Sequence, residues 1–316
     1  MTWNDRPLGT TGLRVTPLTV GGAPLGSMPK NFGYDVSEDQ GVATARAALT
    51  GPIRALDTSS AYSAGESERR IGIALRELGG LPDGYLLSTK ISRDLTTGDF
   101  SGAEMRRSIA GSLERLGLEQ VPLVYLHDPE NTTFEAATAP GGPLDVLREL
   151  KDSGVARAIG VAGGPTDLMA RYLGTGHFDV LLTHNRWTLV NRNAGALIDL
   201  AVDRGVGVVN AAVLGGGILA TGTGGSDRYA YRPAAPEVLD AVRRIEDVAT
   251  RAGVPLSTLA TQFSTRDPRI ATTVVGVSRP ERIEQGVTAV TTPVEPGAFD
   301  EIDAIAASIP TDLLPA

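Results

Sequence analysis

Cysteine is absent from the 316 residues. Disulfides, thiolate metal sites and thiol nucleophiles are thereby excluded. Histidine occurs only at 127, 177 and 184, too sparsely for a multi-histidine metal centre, and no metal is expected. Lysine is nearly missing: Lys30, Lys90 and Lys151 stand among 29 basic residues, the rest arginine. GC-rich coding explains the scarcity, but not why one survivor closes the apolar run YLLSTK. No apolar stretch approaches the ~20 residues that span a bilayer. The opening MTWNDRPLG lacks a charged-then-apolar leader. The formal net charge of -8 argues against nucleic acid, whose phosphates need clustered Lys and Arg. The expectation is a cytoplasmic protein acting on a small molecule, with neither nucleic-acid nor membrane partner and an open oligomeric state.

What is present alternates. After RPLGTTGLRV, read as a hairpin turning at Thr10-Thr11-Gly12, a strand runs over Leu18–Val20. Helix Asp39–Leu49 precedes strand Ile53–Asp57, helix Glu66–Leu78 precedes Tyr85–Lys90, and helix Ala103–Leu116 precedes Val121–His127. Helix Leu144–Ser153 precedes Ala156–Val161, Thr166–Leu173 precedes Val180–Thr183, and Ala194–Asp203 precedes Val206–Asn210. Helices Val238–Ala252 and Leu256–Thr265 lead to strand Thr273–Gly276. Another helix starts near Arg279, and a tail helix covers Asp300–Ile309. Eight strands in apolar runs such as VGVVNAAVL, each sheathed by helices, fit a single (β/α)8 TIM barrel over residues 1–316. A doubly wound sheet is the alternative, but its usual GxGxxG after the first strand is missing. The glycine-rich stretch from Gly215–Gly217 through GTGGSDRYAY, with Arg228, Tyr229, Tyr231 and Arg232, reads as a mobile lid.

In such a barrel the C-terminal strand ends share one mouth, where active sites sit. The runs IRALD, YLLSTK and VPLVYLH end in Asp57, Lys90 and His127, and Tyr62 follows closely in DTSSAY. A free phenol, with a pKa of ~10, is a poor proton shuttle near neutrality. A lysine ammonium beside it is expected to lower that pKa, and an aspartate on the lysine to keep the amine charged. Each residue alone has an ordinary reading, as helix cap, strand terminus or satisfied core histidine. Their joint placement at strand ends points to proton-coupled chemistry.

DTSSAYSAGESERRIGIAL, STK and VYLHDPE resemble the aldo-keto reductase signature, and the likeness extends over nearly the whole chain. It implies an NAD(P)-dependent oxidoreductase with Asp57, Tyr62, Lys90 and His127 as its catalytic tetrad. VVGVSRPERIEQG is the second match. Ser278 and Glu281 have capping-box spacing, and a helix start after the last strand suits phosphate, although an ordinary capped helix has the same spacing. The resemblance assigns Gly276, Ser278 and Arg282 to the cofactor, NADP or NAD; Arg279 is placed to reach a 2′-phosphate, and Gln285 stands where the family often has glutamate. It also replaces the family's usual Ser-Asn by Ala162-Gly163, a usual glutamine by His184, and a stacking aromatic by Ala211. GAPLG, LHDPE, RWTLVNR and GGGIL resemble a branch that oxidises aldoses at C1 to lactones and includes pyridoxal dehydrogenases. Phe32, Tyr34 and Trp187 are candidates for the substrate pocket, and Trp187 equally for packing beneath a loop. The competing readings are a general aldehyde or ketone reductase, a Schiff-base aldolase using Lys90, and a non-catalytic cofactor-binding subunit.

Overall fold

Eight parallel strands close a barrel in chain order. They are β1 (Leu18–Gly21), β2 (Ala55–Asp57), β3 (Leu86–Ile91), β4 (Val121–His127), β5 (Ala156–Gly163), β6 (Val180–His184), β7 (Gly207–Ala211) and β8 (Thr272–Gly276), which pairs back onto β1. The structure, a computed structural model, describes residues 5–316; Met1–Asn4, the start of the segment read for a leader, lie outside them. The outer ring comprises α1 (Glu38–Thr50), α2 (Glu66–Glu77), α3 (Gly102–Leu116), α4 (Pro143–Asp152), α5 (Thr166–Gly174), α6 (Gly195–Asp203), α7 (Pro236–Ala252), α8 (Leu256–Thr265) and α9 (Glu281–Thr291). A tail helix, α10 (Pro296–Ala307), packs on α7. This is the (β/α)8 barrel expected from the alternation. None of the described helices is long and apolar enough to cross a membrane.

Sequence signals explain most helix ends. Ser37 and Ser101 accept hydrogen bonds from the amides of Gln40 and Glu104, capping α1 and α3. Gly117 and Gly253 close α3 and α7 in the left-handed conformation. The tail helix starts four residues before the expected Asp300, because Pro296 has its φ already set for a first helical turn.

The hairpin Arg6–Pro7 with Arg14–Val15 plugs the bottom of the barrel. Its Leu8, Leu13 and Val15 join the interior cluster of Ala55, Leu86, Leu123, Tyr125, Val180 and Val209. Close approach dictates two glycines. A Cβ on Gly9 (φ +57) would lie 2.3 Å from the amide nitrogen of Gly207. One on Gly160 of β5 would lie 2.4 Å from the Tyr125 ring, so the glycine makes room for the tyrosine inside the barrel.

The glycine-rich segment after β7 departs from a loose lid. It forms a 3-10 turn at Gly215–Gly217, a short helix Ile218–Thr221 and a small hairpin pairing Arg228–Tyr229 with Arg232–Pro233. Tyr229 is 5% exposed. Its hydroxyl lies 2.9 Å from Thr188 Oγ1 and donates to the carbonyl of Asn185 at 2.8 Å. That phenol anchors the segment to the turn after β6.

Candidate active site

Alternation along the strands decides what reaches the mouth, since successive side chains face opposite sides of a sheet. Leu86 of β3 lies in the interior cluster, so Ser88 and Lys90 also face inward. The same count runs from Ala55 to Asp57 on β2, from Leu123 through Tyr125 to His127 on β4, and from Val180 through Leu182 to His184 on β6. Each is the last inward residue of its strand. Tyr62 arrives from the turn after β2. It is followed by Ser63, Ala64 and Gly65 at φ +50, +53 and +89. Two non-glycine residues in this region cost on the order of 1 kcal/mol each. Ser63 Oγ holds the turn by donating to the carbonyl of Ser27 at 2.6 Å.

Lys90 is 1% exposed and Asp57 4%. Lys90 Nζ donates to Asp57 Oδ2 at 2.6 Å, to the carbonyl of Thr58 at 2.8 Å and to the Tyr62 hydroxyl at 3.1 Å. The second Asp57 oxygen accepts from Ser88 at 2.8 Å. The Tyr62 and His127 rings meet edge to face with centroids 5.8 Å apart. His127 Nδ1 lies 2.9 Å from Ser59 Oγ and 2.8 Å from Ser92 Oγ. With a serine proton donated to Nδ1, the neutral ring carries its own proton on Nε2, the nitrogen left for a ligand.

The electrostatics correct one expectation. Tyr62 is pushed up to about 12, not down. Burial is the largest cause, and Asp57 counters part of what Lys90 contributes. The phenol meets an ion pair, not a lone ammonium. Burial also pulls on Lys90, but Asp57 and Tyr62 more than reverse it, and the amine stays above its ordinary value. Burial, with the charges of Lys90 and Arg93, holds His127 well below the usual histidine range. His184 is pulled to about 4 by burial, and Asp128 does not offset this. Near neutrality the centre therefore presents a protonated phenol, an ammonium and two neutral imidazoles.

A second group lies past β8. Gln40, Arg279, Pro280, Glu281 and Gln285 line a cavity of about 490 Å³. Arg282 donates to Gln285 Oε1 at 2.9 Å. Gly276 ends β8 beside Pro24. The expected capping box is not made: α9 begins at Glu281, and its first turn has no side-chain cap. The reason is Pro280, which disfavours a helical Arg279 before it. The Ser278 carbonyl instead accepts from Gln40 Nε2 at 2.6 Å. Phe32 and Tyr34 stack at 6.1 Å in the loop after β1. The Trp187 ring packs on Phe263 of α8 at 5.5 Å, with the guanidinium groups of Arg192 and Arg269 over it, which favours the packing reading.

Four residues outside the tetrad escaped the sequence reading. Ser92 continues the inward count of Ser88 and Lys90, and that count would have found it. Ser59 lies inside DTSSAY. Gln40 carries no local signal, because it reaches Ser278 from α1 across the fold. Asn185 adds a buried Oδ1 that meets no donor among the described residues, and its Nδ2 lies 3.1 Å from His184 Nδ1. Arg279 at one end, the amide side chains of Gln40 and Gln285 beside it and an unfilled amide acceptor next to His184 suit an elongated phosphorylated cofactor with an amide at one end.

The aldo/keto reductase family model matches residues 17–307. The chain belongs to this family. It is 34% identical to an L-galactose dehydrogenase of Arabidopsis thaliana, covering 90% of this chain and 88% of that protein. It is 30% identical to a D-threo-aldose 1-dehydrogenase of a Pseudomonas species, with 95% and 96% covered. A pyridoxal 4-dehydrogenase of Microbacterium luteolum is 29% identical, with 89% and 91% covered. The holo form of an aldo-keto reductase from Bacillus halodurans superposes with a TM-score of 0.77 over 96% of both chains, at 23% identity, which speaks for the fold. This aldo-keto reductase is an oxidoreductase that uses a nicotinamide cofactor on small molecules.

Proposed function

We propose that the protein oxidises an aldose at C1 to the lactone, with Tyr62 as the general acid and base. The observation that carries this reading is the Tyr62 hydroxyl held 3.1 Å from Lys90 Nζ, with Lys90 fixed by Asp57 at 2.6 Å. When bound, the nicotinamide supplies or accepts the hydride. In oxidation Tyr62 takes the proton of the C1 hydroxyl, and in reduction it returns one to the carbonyl oxygen. Lys90 stabilises the phenolate formed on the way. Asp57 keeps Lys90 charged and in place. His127, neutral and braced by Ser59 and Ser92, donates from Nε2 to the same substrate oxygen.

Gly276, Ser278, Arg279, Arg282 and Gln285 hold the adenosine end of the cofactor, and His184 lies beside the nicotinamide. Arg279 makes no ion pair among the described residues, so its charge is available to a 2′-phosphate. Kd values for NADP and NAD decide between them. Phe32 and Tyr34 form the outer wall for substrate. Residues 1–316 act as one barrel unit.

The sugar assignment is supported by the two aldose-oxidising relatives. Pyridoxal or simple aldehydes are the alternatives within the same chemistry. A Schiff base on Lys90 is disfavoured, since its nitrogen is buried, donates three hydrogen bonds and is charged, hence a poor nucleophile. The test is a panel of aldoses, pyridoxal and simple aldehydes with both redox forms of NAD and NADP, read by nicotinamide absorbance. Turnover of aldoses with an oxidised nucleotide is expected. Reaction with simple aldehydes alone would remove the sugar assignment, and no turnover at all would remove the chemistry.

A further inference from the structure

Asp128 follows His127 and leaves β4 in the left-handed region, at φ +44. Its Oδ2 stands 3.7 Å from His127 Nε2, beyond hydrogen-bond range. Among the described residues no donor reaches either oxygen of this carboxylate, whose side chain is 45% exposed. His127 Nε2 has no hydrogen-bond partner either, and the Tyr62 hydroxyl is engaged by Lys90 alone. A phenol, a ring nitrogen and a carboxylate thus stand at one opening with capacity to spare. Glu130 and His184 each bring a polar atom to within 4.8 Å of Asp128.

One substrate oxygen uses the phenol and the ring nitrogen. It leaves the carboxylate unpaired, and closing a ligand over an unpaired charge is costly. A second hydroxyl on the adjacent carbon changes this. The oxygens of a vicinal diol lie close enough together for one to accept from His127 Nε2 while the other donates to Asp128 Oδ2, and a carboxylate is an acceptor for such a hydroxyl. We propose that Asp128 binds the hydroxyl on the carbon next to the reacting one and thereby selects polyhydroxylated substrates over carbonyl compounds with a single oxygen. This deepens the function proposed above and rests on it. Glu130 and His184 extend the polar surface for hydroxyls further along the chain of such a substrate.

The experiment compares L-galactose with 2-deoxy-L-galactose on wild-type protein, Asp128→Ala and Asp128→Asn. For wild type, kcat/KM is expected to favour the 2-hydroxylated sugar by about 10- to 100-fold, the worth of one hydrogen bond to a charge. In Asp128→Ala the preference falls to within about threefold, because the group that sensed the hydroxyl is gone. Asp128→Asn, whose amide oxygen still accepts, retains part of it. An undiminished preference in Asp128→Ala, or none in wild type, overturns the proposal. So does a preference that requires Mn²⁺ after EDTA treatment and vanishes in Glu130→Gln, which would make the three residues a cation site. Saturation-transfer NMR of both sugars on the cofactor-loaded protein reads the same contrast without turnover. Contrast without turnover would count against the oxidoreductase assignment for sugars and leave Asp128 standing. Turnover without contrast would do the reverse.

Discussion

Asp57 and Lys90 form a buried ion pair at 2.6 Å, and Tyr62 touches this pair through the lysine. The arrangement separates two properties often credited to a neighbouring lysine. It orients the phenol and can stabilise a phenolate once formed. It does not make the resting phenol acidic, because burial opposes ionisation and the carboxylate cancels part of the lysine's field.

Tyr62→Phe removes one oxygen and leaves the ring against His127. Turnover should fall by roughly 10²- to 10⁴-fold, the usual worth of a positioned acid or base. Nicotinamide binding, followed by fluorescence titration, should change less than about threefold. Normal turnover would sink the role given to Tyr62.

The raised phenol fixes the sign of the pH dependence. With Tyr62 near 12, the proton-donating form dominates at neutral pH, so kcat for carbonyl reduction should be flat from about pH 7 to 10. Oxidation needs the group to accept a proton and should quicken with pH over the same interval. Stopped-flow measurement in both directions checks this. A reduction rate that collapses above pH 8 would place the phenol far lower than the structure does.

Breaking the pair from one side strands a charge. Asp57→Asn is expected to cost about 3–5 kcal/mol of stability, whereas Asp57→Leu combined with Lys90→Met costs much less than the sum of the two single changes. Urea denaturation of the variants gives the numbers. Additive losses would show that the two side chains are not coupled.

His184 predicts behaviour in acid. Its folded value of about 4 lies below the ordinary ~6.5 of an unfolded chain. The depressed value means that this contribution is fully present above pH 6.5. As pH falls towards 4 the unfolded chain takes up a proton that the folded one refuses, and stability drops. His127 acts in the same direction. For His184 the loss is on the order of 2 kcal/mol, below the full shift because the ring keeps some exposure. Thermal melts from pH 7 to 4 should show a smaller decline for His184→Asn. An equal decline would mean that other groups dominate.

Much of this site could be read from the chain because strand periodicity is simple. Counting by twos from an apolar residue places Asp57, Lys90 and His127 on the inner face. The barrel then needs only eight such strands to bring them together. What the sequence hid depends on distance or competition. Trp187 is three residues past the inward His184 and could turn either way; its contacts with Phe263 and two arginines come from elsewhere in the chain. Ser278 has capping-box spacing, yet the ring of Pro280 decides where α9 can begin. Tyr229 sits in a segment rich in glycine, but one phenol reaching Asn185 and Thr188 outweighs the local composition. The acidity of Tyr62 departs from the expectation for a related reason: burial opposes its ionisation, and Asp57 acts on the phenol as well as on the lysine.

The exit of the chain from β4 at residue 128 has a wider meaning. His127 is held by its pairing with Ala162 and by the serines on its Nδ1, so it cannot drift without disturbing the barrel. The next residue still donates its amide to the Ala162 carbonyl, but its side chain makes no hydrogen bond among the described residues and hangs over the same opening. Substitutions there can retune which molecules are accepted while the proton-handling machinery one step earlier stays untouched. An old reaction can in this way be offered to new compounds.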